Sequence, residues 1–328
     1  LVTGAGGSIG SELCRVILRD APKILVLLEL NEFSLYHSER TFRNLSSIPI
    51  VPCLGSVQDS ELLKHLLHDH RINTVYHSAA YKHVPLVEEN PLEGLRNNAL
   101  GTRTLVEKCI EAEVSSFVFI STDKAVRPTN VMGASKRIAQ LIVQDAARRF
   151  PERKLGIVRF GNVLDSSGSV VPLFREQIKK RSSITVTHPE ITRYFMSIGE
   201  AARLVIQAGA MSKNGEVFLL DMGQPVKIKD LALQMIELSG LVPEKDIPLQ
   251  YTGLRPGEKL YEELLIDPAQ SQPTQHPRIF SSEEPPPEVK VLEKEISILT
   301  EAIGQRDISA ALASMKRLVP EYNPENGQ

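Results

Sequence analysis

The first ten residues contain a glycine turn that could hold an anion. Gly4, Gly7 and Gly10 are spaced as GxxGxxG between a short apolar start and a helical pattern. The first glycine permits a tight turn, the second lets the backbone approach a pyrophosphate, and the third lets the helix lie close to the strand. Free N–H groups where the helix begins, at Ser8 and Ile9, favour an anionic ligand. Alone, this motif is weak, because glycine turns are common.

A carboxylate at the expected separation strengthens this interpretation. Glu29 ends the second predicted strand, 19 residues after Gly10, where an acidic side chain would meet the ribose hydroxyls of a dinucleotide. Together the two features predict a dinucleotide site. Glu29 would repel a 2′-phosphate, and the segment that begins at Asn31 supplies no arginine to receive one. We therefore expect NAD rather than NADP, with Arg40 and Arg43 as the residues that could reverse this preference.

Small residues after the fourth predicted strand extend the predicted cofactor site. Ser78, Ala79 and Ala80 would let the ribose and pyrophosphate pass close to the backbone, although helix–sheet packing explains any one of them equally well. They therefore count only together with the glycines. The predicted cofactor contacts are Gly4, Gly7, Ser8, Ile9, Gly10, Glu29, Asn31, Ser56, Val57, Ser78, Ala79, Ala80, Asn98, Ser121 and Lys136.

An acidic and a basic side chain stand together after the fifth predicted strand. That strand ends in Ser121, Thr122, Asp123 and Lys124, and Lys136 follows on a helix. A carboxylate beside an ammonium group could exchange protons with a ligand at this sheet edge. Without further context, such a pair is a solvated ion pair or part of a turn.

A parallel sheet is needed to bring these candidates together. Apolar, β-branched runs alternate with helical spacing through the first half of the chain. This pattern predicts an α/β fold, a Rossmann-type doubly wound parallel sheet, in which ligands bind beyond the carboxyl ends of the strands. The predicted strands are 24–28, 48–51, 73–77, 116–120 and 154–159, and the predicted helices are 8–19, 31–45, 59–70, 92–113 and 130–149.

The pattern changes after residue 160, which predicts a division of the chain. We expect an NAD-binding domain over 1–160, mainly a smaller α/β substrate-binding lobe over 161–280, and a C-terminal helical tail over 281–328. Short strands are predicted at 184–187, 216–220 and 248–250. Residues 267–287 are rich in Pro, Gln and Ser and predict a surface excursion, whereas 288–318 show helical periodicity.

Composition excludes several classes of protein. The 328 residues include 38 basic and 40 acidic side chains, a formal charge of −2, which argues against nucleic-acid binding. The sequence has no apolar run long enough to span a membrane, and its histidines lack metal-ligand spacing. Cys14, Cys53 and Cys109 lie in apolar stretches, so we interpret them as core residues of a protein from a reducing compartment.

Six ordered segments between residue 2 and about 265 resemble the extended short-chain dehydrogenase/reductases. More narrowly, they are similar to the UDP-N-acetylglucosamine 4,6-dehydratases of bacterial polysaccharide and glycan biosynthesis. The segments are AAYKHVP (79–85), NALGT (98–102), STDK (121–124), RFGNV (159–163), TRYFM (192–196) and GLRPGEK (253–259). The family normally carries tyrosine four residues before the helix lysine, but position 132 is methionine, whose thioether cannot exchange a proton.

Methionine at position 132 resembles a membrane-anchored subgroup of these dehydratases that remains active without the tyrosine. That subgroup carries N-terminal membrane helices. We therefore expect a membrane domain outside this chain and a cytoplasmic location, at the inner face of the inner membrane. This expectation agrees with a chain that opens on Leu1 and Val2, the stump of a strand.

The resemblance implies a reaction and the residues that perform it. UDP-N-acetylglucosamine would be oxidised at carbon 4 by NAD, lose water across carbons 5 and 6, and receive the hydride back at carbon 6. Lys124 would be the base at carbon 5 and Asp123 the acid for the 6-hydroxyl, which requires a partly neutral Lys124 and a protonated Asp123. Thr122 or Asp123 would accept the 4-hydroxyl proton, and Lys136 would contact the nicotinamide ribose.

The resemblance also implies substrate contacts and an assembly. Arginine suits a nucleotide diphosphate, because its guanidinium group grips phosphate in a bidentate fork. Surface solvation is the alternative interpretation of both arginines in this set. The predicted substrate contacts are Lys82, Asn162, Arg193, Arg255 and Glu258. A homodimer would pair the helices near 92–113 and 130–149. A UDP-sugar 4-epimerase and a catalytically silent NAD-binding regulator, which Met132 would favour, remain as alternatives.

Overall fold

Strands and helices alternate along the first 160 residues, and every element predicted there is present to within three residues at each end. The computed structural model describes residues 1–263, 271–282, 284 and 286–324. The strands are β1 (Val2–Thr3), β2 (Leu25–Glu29), β3 (Ile50–Leu54), β4 (Thr74–His77), β5 (Ser116–Thr122), β6 (Lys154–Phe160), β7 (Asn162–Val163), β8 (Ile184–Val186), β9 (Thr192–Arg193), β10 (Phe195–Met196), β11 (Val217–Leu220), β12 (Val226–Lys227), β13 (Leu249–Tyr251), β14 (Ser271–Pro273) and β15 (Ile279–Ser282).

The helices surround a nine-stranded sheet in the order β14-β15-β11-β6-β5-β4-β1-β2-β3. They are α1 (Ser8–Ile17), α2 (Glu32–Leu45), α3 (Ser60–Asp69), α4 (Val84–Glu89), α5 (Pro91–Leu95), α6 (Gly101–Glu111), α7 (Val131–Arg149), α8 (Val170–Lys179), α9 (Ile198–Met211), α10 (Ile228–Leu238), α11 (Val289–Gly304) and α12 (Ile308–Leu318). Strands β1 to β6 and β11 are parallel, whereas β15 and β14 are antiparallel additions at one edge. This order confirms the predicted doubly wound fold, whose binding crevice opens between β1 and β4.

Side chains alternate across the sheet and bury both of its faces. On β5, Phe117 and Phe119 pack in the cluster that includes helices α3, α6 and α7. Val118 and Ile120 point the other way, into the cluster that includes α1 and α9. A parallel strand that is covered on both faces reads as a continuous apolar run, which is why the sequence identified these strands. Cys14 and Cys109 are buried free thiols, as expected of core residues.

A smaller apolar cluster forms where the sequence predicts the substrate-binding lobe. Phe174 of α8, Ile184 of β8 and Ile236 of α10 belong to it. The chain does not stay in this lobe, however, because α9 and β11 return to the main sheet. The division into ranges 1–160, 161–280 and 281–328 remains a prediction. The main sheet takes β11 and β14 from the second range, and β15 crosses from the second range into the third.

The predicted surface excursion over 267–287 is wrong in its described part. Strands β14 and β15 extend the main sheet, and Ile279 is fully buried. The high content of Pro, Gln and Ser misled the prediction, since an edge strand tolerates proline where an inner strand does not. Residues 267–270, 283 and 285 lie outside the described residues.

The helical pattern near the C-terminus forms a hairpin that covers other helices. Helices α11 and α12 bury Leu292, Leu299 and Met315 against α5 and α7. Helix α7 is buried from Val131 to Ala147, and the hairpin covers part of it. Among the described residues, no helix combines the length and apolar character needed to cross a membrane.

One buried carboxylate near the tail pairs with two buried arginines. Glu284 accepts hydrogen bonds from Arg159 at 2.9 and 3.1 Å and from Arg137 at 2.7 Å. Burial would raise the pKa of Glu284, but the two guanidinium groups outweigh burial and hold its pKa below the usual range. Gln140 accepts from both arginines and donates to the hydroxyl of Ser121 at 2.5 Å. The segment before α11 is thus connected to the end of β5.

Glu284→Gln should strongly destabilise the fold. The substitution removes the carboxylate that pairs with the fully buried Arg159, whereas Arg137 keeps Glu321 at 3.1 Å. Leaving the Arg159 charge buried without this partner costs about 3–5 kcal/mol. Urea unfolding followed by circular dichroism measures this loss. Glu293→Gln is the control, because Glu293 forms only an exposed pair with Arg149 at 3.5 Å, worth about 0.5 kcal/mol. Equal unfolding midpoints for the two variants would contradict the assigned role of Glu284.

Candidate active site

The glycine turn lies between β1 and α1 and fits a pyrophosphate. Gly4 adopts φ +64°, and a Cβ on it would lie 2.8 Å from the backbone of Ala79. A Cβ on Gly10 would collide with the Gly4 carbonyl oxygen. Gly7 precedes α1, which has no side-chain cap at its start, so no side chain satisfies the first N–H groups of this helix. This geometry suits the anion of a dinucleotide.

Glu29 reaches the turn from the end of β2. Its carboxylate accepts hydrogen bonds from the Gly6 N–H at 2.9 Å and the Asn31 N–H at 3.0 Å. The side chain of Asn31 caps helix α2 by accepting from the Ser34 N–H at 2.9 Å. Glu29 therefore lies beside the glycines as predicted, while Asn31 already has a structural task.

The other predicted cofactor contacts lie at half-buried or buried positions. The Ser8 hydroxyl accepts from the Ser167 N–H at 3.0 Å, which ties the turn to the loop after β7. The Ser78 hydroxyl donates to the Thr3 carbonyl at 2.8 Å. Ser56 accepts from the Gln58 N–H at 3.1 Å, and Val57 is 4% exposed within the core. Ile9 and Ala80 are half-buried.

Asn98 connects three segments at the crevice. It lies in a π-helical turn (Arg96–Leu100) between α5 and α6, an irregularity common at functional sites. Its amide oxygen accepts from the Tyr81 N–H at 2.8 Å, and its amide nitrogen donates to the Tyr81 carbonyl and the Ser135 hydroxyl, both at 2.9 Å. Asn98 thus holds the 79–82 segment against α7.

The end of β5 places the predicted acid–base pair in contact. Lys124 Nζ donates to Asp123 Oδ1 at 3.0 Å and to Asn162 Oδ1 at 3.1 Å. The Thr122 hydroxyl donates to the same Asp123 oxygen at 2.8 Å. Asp123 is fully buried, and its Oδ2 has no hydrogen-bond partner among the described residues. A Cβ on Gly161 would lie 3.2 Å from this oxygen.

The expected lowering of the pKa of Lys124 is wrong in this structure. Burial lowers the pKa of Lys124, but the carboxylates of Asp123 and Glu262 together raise it by more than burial lowers it, so the net shift is upward. Glu262 contributes from 3.6 Å. Lys124 is therefore held as an ammonium group, and a neutral amine needs a proton transfer that the sequence did not predict.

Lys136 and Met132 lie one turn apart on α7 in different surroundings. The Lys136 ammonium donates to the Ile120 carbonyl at 2.7 Å and lies 4.1 Å from the centre of the Phe119 ring. Burial lowers the pKa of Lys136 to about 7. Met132 is 3% exposed and belongs to the apolar cluster of α4, α5 and the tail helices.

A cavity of about 180 Å³ brings most of the predicted substrate residues together. It lies next to Lys124 and has a charged lining. The predicted residues that line it are Asn162, Arg193, Arg255 and Glu258, and the residues that sequence reasoning missed are Val84, Pro85, Asn130, Gly257 and Glu262. Glu262 follows Glu258 by four residues in the sequence, and this spacing was the only signal that could have pointed to Glu262. The Lys82 side chain is exposed at the surface. Desolvation by the protein groups around it and the charge of Lys124 still lower its pKa.

Arg193 is buried, so the surface interpretation does not hold for it. Its guanidinium group donates to the carbonyls of Thr192 at 2.7 Å and Leu260 at 3.3 Å and to Glu258 at 3.4 Å. Arg255 is exposed, and its backbone N–H donates to the Glu258 carboxylate at 3.2 Å. Glu258 thus contacts both arginines. Among the described residues, no group of His, Cys, Asp and Glu side chains could hold a metal ion.

Residues 1–284 match the model of a family described as polysaccharide biosynthesis protein. The chain belongs to this family. It is an extended short-chain dehydrogenase/reductase that resembles nucleotide-sugar dehydratases. The capsular polysaccharide biosynthesis protein CapD of Staphylococcus aureus is 54% identical over 267 residues, which are 81% of this chain and 44% of CapD. The chain therefore spans less than half the length of that relative.

Two further comparisons concern dehydratases. The UDP-N-acetylglucosamine 4,6-dehydratase (inverting) of Campylobacter jejuni is 28% identical over 93% of this chain and 88% of its own length. The structure of DesIV, a dTDP-glucose 4,6-dehydratase from Streptomyces venezuelae with NAD and DAU bound, has a TM-score of 0.65 at 20% identity. It covers 77% of this chain and 87% of DesIV, and it shows the fold alone.

Lys136 should make stability depend on pH. Its folded pKa is about 7, while an unfolded lysine titrates near 10.4, so unfolding takes up a proton between these values. The unfolding free energy should rise with pH in this window by about 1.4 kcal/mol per pH unit. Lys136→Met in nucleotide-free protein should remove this contribution, as measured by urea unfolding between pH 7.5 and 9.5. Lys294→Met, at an exposed position on α11, is the matched control, and identical slopes in all three proteins would refute the assignment.

Proposed function

We propose that this chain is the catalytic part of an NAD-dependent nucleotide-sugar 4,6-dehydratase. Its substrate would be UDP-N-acetylglucosamine and its product a UDP-4-keto-6-deoxy sugar. The observation that carries the proposal is the contact of Lys124 Nζ with both Asp123 and Asn162, at 3.0 and 3.1 Å. This contact lies beside a cavity whose lining includes Arg193 and Arg255. An epimerase would need no acid for the 6-hydroxyl, so a buried carboxyl group next to the base favours elimination.

The cofactor would lie along the glycine turn. Gly4, Gly7 and the start of α1 would hold the pyrophosphate, and Glu29 would accept from the adenosine ribose hydroxyls in place of the Gly6 and Asn31 N–H groups. Bound NAD would supply the hydride acceptor for oxidation at carbon 4 and the hydride donor for reduction at carbon 6. Lys136, neutral in part at a pKa of about 7, would donate to the nicotinamide ribose.

One proton transfer along an existing hydrogen bond would prepare both proton-carrying groups. Lys124 Nζ donates to Asp123 Oδ1 at 3.0 Å. Moving this proton to Asp123 gives a neutral amine and a carboxylic acid, the two forms that the reaction requires. A closed, dry site favours the neutral pair over the ion pair, because burying separate charges is costly. The 4-hydroxyl proton would leave for solvent through the Thr122 hydroxyl. Lys124 would then take the carbon 5 proton and return it as the hydride adds at carbon 6, and Asp123 would protonate the departing 6-hydroxyl. A solvent proton would restore the ammonium form of Lys124.

The substrate diphosphate would be bound by the arginines of the cavity. Arg193 donates to Glu258 at 3.4 Å, so a phosphate would have to replace this carboxylate. Glu258 would then be free to accept from the uridine ribose. Arg255 is exposed beside it, and Lys82 would add a further cation. These assignments follow the resemblance and the charged lining of the cavity.

Incubation with NAD and UDP-N-acetylglucosamine should yield a product that has lost one water, detected by mass spectrometry. Lys124→Met and Asp123→Asn should each slow product formation by about 100-fold or more, since each removes a proton-transfer group. NAD should remain bound in both variants. Lys179→Met, at the exposed end of α8, is the control and should turn over normally. Near-normal rates in the first two variants would exclude them from the mechanism.

Other outcomes of the same incubation identify the alternatives. Isomerisation without a change of mass would indicate a 4-epimerase. Binding of NAD and sugar nucleotide without turnover would indicate a catalytically silent regulator. Both outcomes would overturn the proposed function.

Glu29→Gln should weaken the preference for NAD over NADP. The substitution removes the negative charge that repels a 2′-phosphate and weakens the hydrogen bonds to the ribose hydroxyls. We expect NAD to bind about tenfold more weakly, since a hydrogen bond to a charged group contributes about 1.5–3 kcal/mol. Isothermal titration of nucleotide-free protein measures both affinities. Glu32→Gln, in the exposed first turn of α2, is the control, and wild-type protein that binds NADP as well as NAD would defeat the argument.

The predicted assembly and location remain proposals. The tail helices α11 and α12 cover α5 and part of α7. A homodimer that pairs the helices near 92–113 and 130–149 would therefore need this hairpin to move, so we propose that a homo-oligomer uses another surface. An N-terminal membrane domain and a place at the cytoplasmic face of the membrane likewise rest on the resemblance.

A further inference from the structure

A second buried carboxylate lies beside the acid–base pair. The Glu262 side chain is 3% exposed, with Oε1 3.6 Å from Lys124 Nζ and 3.8 Å from Arg193 Nε. Its Oε2 has no hydrogen-bond partner among the described residues. A buried carboxylate with one unsatisfied oxygen is costly, so the two neighbouring cations must account for its charge.

The contacts of the Lys124 ammonium group show where Glu262 acts. An ammonium group has three N–H donors. Asp123 and Asn162 accept two of them, at 3.0 and 3.1 Å. The remaining donor has Glu262 as its nearest anion, at a distance that is ionic rather than a hydrogen bond.

The charged groups around Lys124 come from several segments. Asp123 lies on the same turn, and Arg193 comes from β9. Lys82 follows β4 and Lys259 precedes Glu262, and both interact electrostatically with Lys124. All three of these basic neighbours favour loss of the Lys124 proton, whereas the carboxylates of Asp123 and Glu262 oppose it. Glu262 is therefore the anion that balances the surrounding positive charge.

We propose that Glu262 is a positioning residue that holds Lys124 in its ammonium form and points Nζ at Asp123 and Asn162. Its carboxylate bridges Lys124 and Arg193, so the proton-transfer group and the predicted phosphate-binding group share one counter-ion. The significance of this arrangement for turnover rests on the proposed function. The charge state of Lys124 does not rest on the proposed function, because it is a property of the protein alone.

The test measures the titration of Lys124 directly. Brief reaction with limiting acetic anhydride across a series of pH values, followed by peptide mass spectrometry, gives the pH at which Lys124 becomes half-reactive. The side chain is 21% exposed, so the reagent can reach it. Glu262→Gln should lower this midpoint by about one to three pH units, the effect of an opposite charge at this range.

Two further variants complete the comparison. Glu263→Gln changes an adjacent exposed carboxylate that pairs with Arg127 at 2.9 Å, and its midpoint should equal that of the wild type. Glu262→Asp keeps the charge but withdraws it by one methylene group, so its midpoint should lie between those of the wild type and Glu262→Gln. An unchanged midpoint in Glu262→Gln and Glu262→Asp, or an equal fall in Glu263→Gln, would overturn the proposal.

Turnover provides an independent reading. If Lys124 is the base, the rise of kcat/KM with pH, which reports the free enzyme, should move to lower pH in Glu262→Gln by the same amount as the labelling midpoint. A shifted labelling midpoint in a protein that forms no dehydrated product would sustain the role of Glu262 and reject the proposed function. An unshifted midpoint in an active dehydratase would do the reverse.

Discussion

The hydrogen bond between Lys124 and Asp123, at 3.0 Å, is the interaction on which the proposed chemistry depends. It places an exchangeable proton between a potential base and a potential acid, both at the carboxyl end of a central parallel strand. Neighbouring groups decide on which of the two the proton resides. Glu262 favours the ammonium form of Lys124, whereas exclusion of water would favour the neutral pair. The site can therefore exchange these forms with little movement of atoms.

A buried polar network holds the end of β5, and with it Asp123 and Lys124, in position. Ser121, two residues before Asp123, accepts from Gln140, and Gln140 accepts from Arg159. Arg159 is fully buried and depends on Glu284 for its counter-charge. Such a network is rigid only when every member is satisfied. The segment before α11 is therefore part of the structure that fixes the end of β5.

The sequence alone was enough to predict the structure where a pattern of neighbouring residues determines it. Continuous apolar runs predicted the parallel strands, and the glycine spacing predicted the turn at Gly4, because both follow from neighbouring residues. Contacts between distant residues were not predictable in this way. Nothing near Arg159 in sequence indicates Glu284, 125 residues away, and the upward pKa shift of Lys124 requires Glu262. The edge strand β14 and its neighbour β15 were missed because their composition is typical of loops.

The charges at the cavity explain how a dehydratase could work without a phenol at position 132. Met132 is buried among apolar side chains, where a hydroxyl group would need a partner. The carboxylates of Asp123, Glu258 and Glu262 lie beside the cations of Lys124, Arg193 and Arg255. A diphosphate bound there would add negative charge close to these carboxylates, and added negative charge favours retention of a proton by a carboxyl group. Under the proposed function, such a proton is the one that the departing 6-hydroxyl would take.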